Sequence, residues 1–471
     1  MDLTSILILS SLALLVGLIT NLAWKKHAIF ILNISILLSL QPNLPIRGLR
    51  FWLPSVLIFL CLISWMWIRN KQNFSNMSIV KPIGIIALIY LIIYLINTFI
   101  ANSVPFVEFQ LQTLILFIGF LLIFIAINFI IHPKRSSDIW ISILIILFIV
   151  LKTPQLAFLV SKGLRVITNQ ALSLANPMDI SWLGFSYIVF RLIHTLRDHK
   201  SGRLPNVDLV EYINYVTFFP TLTAGPIDRF QNYKKSFENS SKPLREKAII
   251  GGKRIIQGLF KKFVIADLLV MIALNDNNAL QIQSASWMWI SVYAYAFLIY
   301  FDFSGYTDIA IGMGYLMGIE VPENFSLPYL KTNLTLFWNS WHMTLTNFFR
   351  AYFFNPLTRY LRTGKRKWRV WLIILFTQIT TMVLIGLWHG IIASFIFWGL
   401  WHGIGLFIQN RWSNTMGVWI EEKINGRLSK KVLKMVNVLL TFNFIAIGWI
   451  FFALSEIEKS ISVLKVLVGI R

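Results

Sequence analysis

Residues 114–131 read LILFIGFLLIFIAINFII, a run without a single charged residue. Its length and composition match the roughly 20 apolar residues that carry an α-helix across a bilayer core. LTSILILSSLALLVGLIT at 3–20 and IGIIALIYLIIYLINTFIA at 83–101 repeat the pattern. Of the 471 residues, 56% are hydrophobic and only 13% are charged, against about 25% charged in soluble domains, and mean hydropathy is +0.68. The fold class is therefore an all-α polytopic membrane protein, read as a single membrane domain over 1–471. Hydropathy puts clear spans near 3–22, 51–68, 83–101, 110–131, 138–151, 285–301, 371–388, 391–409 and 433–453, and weaker ones near 28–40, 180–196, 252–272 and 305–319. That makes roughly eleven to thirteen membrane helices, some short enough to be re-entrant or interfacial. The opening MDLTS has an acid where a signal peptide's basic region belongs, and no small-residue cleavage site follows, so the first block reads as a span.

Net charge is +23, from 43 Lys+Arg against 20 Asp+Glu. In a soluble chain this balance would suggest nucleic acid; in a membrane chain it marks cytoplasmic loops obeying the positive-inside rule, and no nucleic-acid partner is expected. Basic residues concentrate between Arg229 and Lys262, and in RYLRTGKRKWR at 359–369. Both stretches are expected on the cytoplasmic side, in contact with anionic membrane lipid or as a landing surface for an anionic thioester donor. Lys25 and Lys26 after the first span put the N-terminus outside. The one cysteine, Cys61, excludes an internal disulfide and a Cys-based metal site.

Ionisable groups at membrane depth are functional candidates by default. Of seven histidines, His27, His132 and His199 lie beside charged residues in expected loops, and His194 near a helix end reads either way. His389 sits in GLWHG at 386–390, and the same pentapeptide recurs at 399–403 around His402. Gly386 and Gly390 allow a close backbone approach or a helix break that lines a cavity, and Trp388 supplies a partly polar wall. A histidine there can take a proton from a hydroxyl and return it, or simply be a satisfied core residue. His402, thirteen residues on, is turned about 220° on a continuous helix, so the two imidazoles would not share a face unless the helix breaks at Gly390 or Gly399. His342 lies in YLKTNLTLFWNSWHMTLTNFFRAYFFNPLTRY at 329–360, whose aromatic residues recur at three- and four-residue steps and predict an amphipathic interfacial helix. There is no metal-ligand spacing, no G-x-S-x-G and no Walker loop, which removes support for a zinc enzyme, a serine hydrolase or an ATP-driven pump.

FFPTLTAGPIDRF at 218–230, DFSGYTDIAIGMGYLMGIEVPENFSLPYL at 302–330 continuing through FWNSWHMTLTNFFRAYFF, and LIGLWHG at 384–390 together resemble the membrane-bound O-acyltransferase (MBOAT) family. The likeness is to its bacterial branch, with the alginate O-acetylation membrane protein, the peptidoglycan O-acetyltransferase and the teichoic-acid D-alanyl transfer protein. It covers roughly 180–410. It implies a helical bundle around a central tunnel in a multi-pass protein of the bacterial inner membrane. It implies that His389 and His342 are the catalytic pair, His389 as general base, with His402 structural. Trp388, Trp341, Trp338, Asn339, Asp302, Ser304, Asp308 and Asn324 then line or support the tunnel, with no metal. No bound cofactor is implied; the acyl thioester donor, acetyl-CoA or an acyl carrier protein, is a substrate. The acceptor is a hydroxyl of an extracytoplasmic glycan or of an SGNH-type acyltransferase partner.

The family commonly reads FWRRWH and an FRDY-like stretch, where this chain has FWNSWH and FFRAY. Asn339, Ser340 and Ala351 thus replace two arginines and an acid, as if one local ion network had been exchanged as a unit. D-alanyl transfer from a carrier-protein thioester to a teichoic acid-like polymer is the alternative within the class. Outside it stand a transporter, for which no internal repeat of 302–350 is found, and an inactive scaffold of a polysaccharide export complex.

Overall fold

The computed structural model describes residues 2–42, 44–69, 77–99, 111–130, 137–239, 243–364, 368–417 and 426–470. His132, and Lys365 to Lys367 of the second basic stretch, lie outside the described residues. The described chain is helical, and it divides into two compact units, residues 1–253 with 310–321 and residues 254–309 with 322–471.

The first unit holds α1 (Leu3–Gly17), α2 (Leu22–Ser39), α3 (Leu49–Ile68), α4 (Met77–Phe99), α5 (Leu111–Ile130), α6 (Ser137–Lys152), α7 (Pro154–Ile167), α8 (Phe185–Lys200), α9 (Leu209–Val216) and α10 (Phe230–Glu238), with the start of α11 (Leu244–Phe260). Local sequence explains the boundaries. Asn21 caps α2 by accepting from the Ala23 and Trp24 amides. Pro154, which cannot continue the preceding helix, opens α7 after a 91° bend from α6. The buried Arg191 of α8 donates to the carbonyls of Val216 and Thr221, both at 2.7 Å, and so gathers the FFPTLTAGP segment around one guanidinium. His194 is structural: its Nε2 accepts the Phe230 amide at 3.1 Å, which leaves Nδ1 to face Asp198 at 3.5 Å. His27 and His199 lie in α2 and near the end of α8, where loops were expected.

The second unit contains the rest of α11, α12 (Asp267–Val270), most of α13 (Ala285–Met317), α14 (Leu334–Trp338), α15 (Met343–Phe349), α16 (Asn355–Thr363), α17 (Val370–His389), α18 (Ala393–Trp412), α19 (Arg427–Ala453) and α20 (Ile457–Leu467). Among the described residues five helices are long and apolar enough to cross a membrane, six if α6 and α7 form one broken span. The other spans expected from hydropathy are shorter apolar helices or carry polar residues. The all-α polytopic architecture stands.

Two expectations change. The spans near 285–301 and 305–319 are one 33-residue helix, α13. The acids that interrupt its hydropathy are satisfied sideways, Asp302 by Lys262 and Asp308 by Arg254 and Lys261, so the helix has no reason to break. Backbone contact brings these charges within reach: a Cβ on Gly305 would lie 2.8 Å from the Gly258 carbonyl oxygen. The amphipathic helix expected over 329–360 is broken at 339–342 instead. There the Asn324 carbonyl takes the Met343 amide and the Asn324 side chain takes the Thr344 amide, starting a new helix.

The chain turns back sharply after His389. Gly390 leaves the helix with extended φ, and α18 returns along α17. The approach is at backbone distance: a Cβ on Gly399 would lie 2.6 Å from Val383 Cα, and one on Gly403 2.7 Å from Ile379 Cα. The glycines of the second GLWHG thus form a small-xxx-small contact face. Gly399→Ala is expected to force the helices apart and to lower stability by about 1–3 kcal/mol. Gly119→Ala in α5, with nothing within 4 Å of the added carbon, is expected to leave it unchanged or slightly raised. Thermal melting of the detergent-solubilised protein separates the two.

Candidate active site

The hairpin puts the first GLWHG at its turn and folds the second back along α17. His389 is the last residue of α17 and is half-buried. Its ring lies 4.5 Å from Trp388, 4.7 Å from Phe452 and 6.1 Å from Trp398, centroid to centroid. His402 is fully buried in the middle of α18, inside a box of Trp398, Trp338, Phe444 and Trp449. Trp398 therefore lies beside both pentapeptide histidines, 6.1 Å from His389 and 4.9 Å from His402. The break at Gly390, one of the two positions the sequence singled out, answers the duplicated motif: the copies pack against one another but have different surroundings.

His342, the residue that caps α15, comes to Trp388, the neighbour of His389. Its ring is 6.1 Å from Trp388 and meets Phe303 edge-on at 4.7 Å. It caps α15 with φ 41° and ψ 52°, a left-handed conformation that costs a non-glycine residue of order 1–3 kcal/mol and persists only where its surroundings impose it. The constraint is Asn324, wholly buried. Its Oδ1 accepts the Thr344 hydroxyl at 2.6 Å and the Thr344 amide at 3.3 Å, and lies 3.3 Å from His342 Nδ1. The backbone amide can only donate, so that atom is an acceptor and the proton of His342 sits on Nδ1. Nε2 then carries the lone pair, and it has no hydrogen-bond partner among the described residues. The turn lies outside the candidate spans, and burial pushes the imidazole pKa down to about 3, so His342 is neutral.

The two imidazoles sit at opposite kinds of helix end: His389 closes a 20-residue helix, and His342 stands at the start of a seven-residue one.

The other candidate residues divide. Trp388, Trp341 and Asn324 belong to this cluster: Trp341 packs on Phe325 at 5.1 Å and Trp449 at 4.9 Å. Trp338 and Asn339 line a separate cavity of about 240 Å³ with Arg350, Gln378 and Ile385. Asn339 there accepts from Arg350, and Ser340 bonds back to the Leu336 carbonyl, so the departures from the family's arginine pair are met by local amide and hydroxyl bonds. Ser304 is buried, and among the described residues its hydroxyl has no hydrogen-bond partner. Asp302 and Asp308 are committed to Lys262, Arg254 and Lys261. Sequence reasoning missed Glu323, which pairs with Arg254 and so ties the residue before Asn324 to α11. The signal was present in PEN at 322–324, an acid directly before the buried amide. It also missed Phe303 and Phe452, which wall the histidines and carry no signal beyond being aromatic. Among the described residues no group of His, Cys, Asp or Glu is placed to hold a metal ion.

The chain is 35% identical over 273 residues to a probable alginate O-acetylase of Pseudomonas syringae pv. tomato, covering 57% of this chain and 48% of that one. It is 35% identical over 265 residues to a peptidoglycan O-acetyltransferase of Helicobacter pylori, with 56% and 47% covered. It is 28% identical over 285 residues to a teichoic acid D-alanyltransferase of Bacillus subtilis, with 58% and 69% covered. The chain thus spans about half the length of the O-acetylating relatives it matches. The model of the membrane-bound O-acyltransferase family matches residues 141–455, which contain every residue placed at the site, and the chain belongs to that family.

Proposed function

We propose that the chain is an O-acyltransferase that moves an acyl group, acetyl in the first instance, from a cytosolic thioester to a hydroxyl of an extracytoplasmic glycan or partner protein. The observation that carries this reading is the pair of imidazoles, His389 and His342, set at opposite kinds of helix end with rings 4.5 and 6.1 Å from that of Trp388. His389 takes the proton of the attacking hydroxyl, and the helix C-terminus stabilises the imidazolium that results. The hydroxyl oxygen adds to the thioester carbonyl carbon, and the C–S bond then breaks. The thiolate receives the proton back from His389, so charge balances over one turnover. His342, lacking a proton on Nε2, cannot donate to the oxyanion. It accepts a hydrogen bond from a neighbouring group of the acceptor and fixes its pose. The Asn324 side-chain N–H, buried and without a partner among the described residues, is a donor for the developing oxyanion.

The thioester is a substrate, supplied as acetyl-CoA or on an acyl carrier protein, and no resident cofactor takes part. The relatives named for alginate and peptidoglycan O-acetylation favour acetyl; the one named for teichoic acid D-alanylation supports D-alanyl transfer from a carrier protein as the second reading. The family and the membrane-capable helices support a multi-pass protein of the bacterial inner membrane. Its acceptor would be a polymer or an SGNH-type partner outside.

Transfer of labelled acetyl from acetyl-CoA in membranes that hold the protein with its genomic neighbours tests the assignment. His389→Ala is expected to lower transfer by at least 10²-fold at normal protein levels, while His402→Ala keeps the chemistry and loses stability. Unchanged transfer in His389→Ala would remove the base, and transfer from a D-alanyl carrier alone would select the second reading. A further comparison isolates Asn324. Asn324→Leu and Asn324→Asp both lack the side-chain N–H offered to the oxyanion, and each is expected to lower kcat at least tenfold, while Asn324→Asp, which still accepts from Thr344 and His342, melts closer to wild type than Asn324→Leu. A kcat near wild type in Asn324→Asp would contradict the oxyanion assignment.

A further inference from the structure

A second cavity lies in the unit that carries the histidines, at the basic end of α19, and nothing in the acyl-transfer reading uses it. Its volume is about 480 Å³. The lining is amphiphilic: Asn437, Thr441 and Ser413 are set among Trp412, Leu433 and Leu440, with no acidic residue. Thr441 is 8% exposed, and among the described residues neither its hydroxyl nor the Asn437 amide has a protein partner. Lys430 and Lys434 lead into this lining, since positions 430, 434, 437 and 441 fall on one face of α19. Among the described residues Lys430, Lys431, Lys434 and the nearby Arg411 make no ion pair; Arg411 rests on the Phe407 ring at 5.6 Å.

Helix length sets the depth. From Leu433 to Ala453 α19 rises about 30 Å, the thickness of a hydrocarbon core, so the cavity lies at one boundary and the lysines just beyond it. Trp412, 55% exposed, suits the aromatic belt of that boundary. Ile408 and Leu440, 59% and 65% exposed beside the cavity, offer contact to a hydrocarbon chain that a water-soluble phosphate would leave uncovered.

We propose that this cavity binds the phosphate and ester portion of an anionic phospholipid. Lys430 and Lys434 meet the phosphate, Asn437 and Thr441 hydrogen-bond the glycerol ester, and Ile408 and Leu440 take the first methylenes of the acyl chains. The floor of the cavity is Phe444, whose ring is 5.9 Å from His402 and 4.6 Å from Trp401. A bound headgroup therefore braces the packing that holds α18.

Native mass spectrometry of the full chain, released from micelles containing equal phosphatidylglycerol and phosphatidylcholine, reads the site directly. Wild type is expected to retain phosphatidylglycerol at least threefold over phosphatidylcholine. The ratio should fall to near one in Lys430→Gln/Lys434→Gln and in Thr441→Leu, which fills the cavity without changing charge. Added phosphatidylglycerol should raise the melting temperature of wild type only. The lysines are exposed, so the double variant folds even where Thr441→Leu does not. A ratio unchanged in the double variant would overturn the site, and displacement of phosphatidylglycerol by acetyl-CoA would show that a soluble phosphate is the occupant.

Discussion

The close packing of α17 against α18 is the contact on which the site depends. Two helices meet at backbone distance only where glycines face backbone, and Gly399 and Gly403 do so against Val383 and Ile379. That approach ends α17 at His389, so that the imidazole gains a helix C-terminus, and it brings Trp398 between the two pentapeptide histidines. A bulkier residue at either glycine would move His389 and its aromatic wall together. The glycines of the second GLWHG are a packing device, and the two histidines of the duplicated motif end in different surroundings.

Charge follows a similar economy. The chain carries a net +23, yet part of the basic stretch that reads as a docking surface is committed internally. Lys234 pairs with Glu211, and Arg254, Lys261 and Lys262 pair with Asp302, Asp308 and Glu323. These pairs let acids sit in the long helix α13, and through Glu323 they hold the segment that presents Asn324. Asn324 in turn holds His342 by Nδ1. The route from a surface-looking lysine cluster to a protonation state at the site is thus a short series of contacts. Among the described residues Lys430, Lys431 and Lys434, at the basic end of α19, make no ion pair.

Much of this was legible beforehand. Apolar runs of membrane length gave the all-α polytopic class because lipid requires every backbone group to be satisfied within the helix. The three motif stretches named the family, and Gly390 was a visible place for a break. Three features were not legible, each for a physical reason. Hydropathy divided α13 at Asp302 because a window average cannot see that an acid has a lysine partner forty residues away. Helical periodicity ran through 339–342 because the break is imposed by Asn324, eighteen residues before His342, and not by any local breaker. Which nitrogen of His342 bears the proton depends on a buried amide whose orientation only the fold supplies.

A structure determined with a non-transferable acetyl-CoA analogue bound would test the central claim most directly. The account predicts the acyl carbonyl carbon beside Trp388, with room for an acceptor oxygen about 3–3.5 Å away and within reach of His389, and His342 still held by Asn324. A carbonyl seated next to His402, or away from both Trp388 and His389, would contradict it.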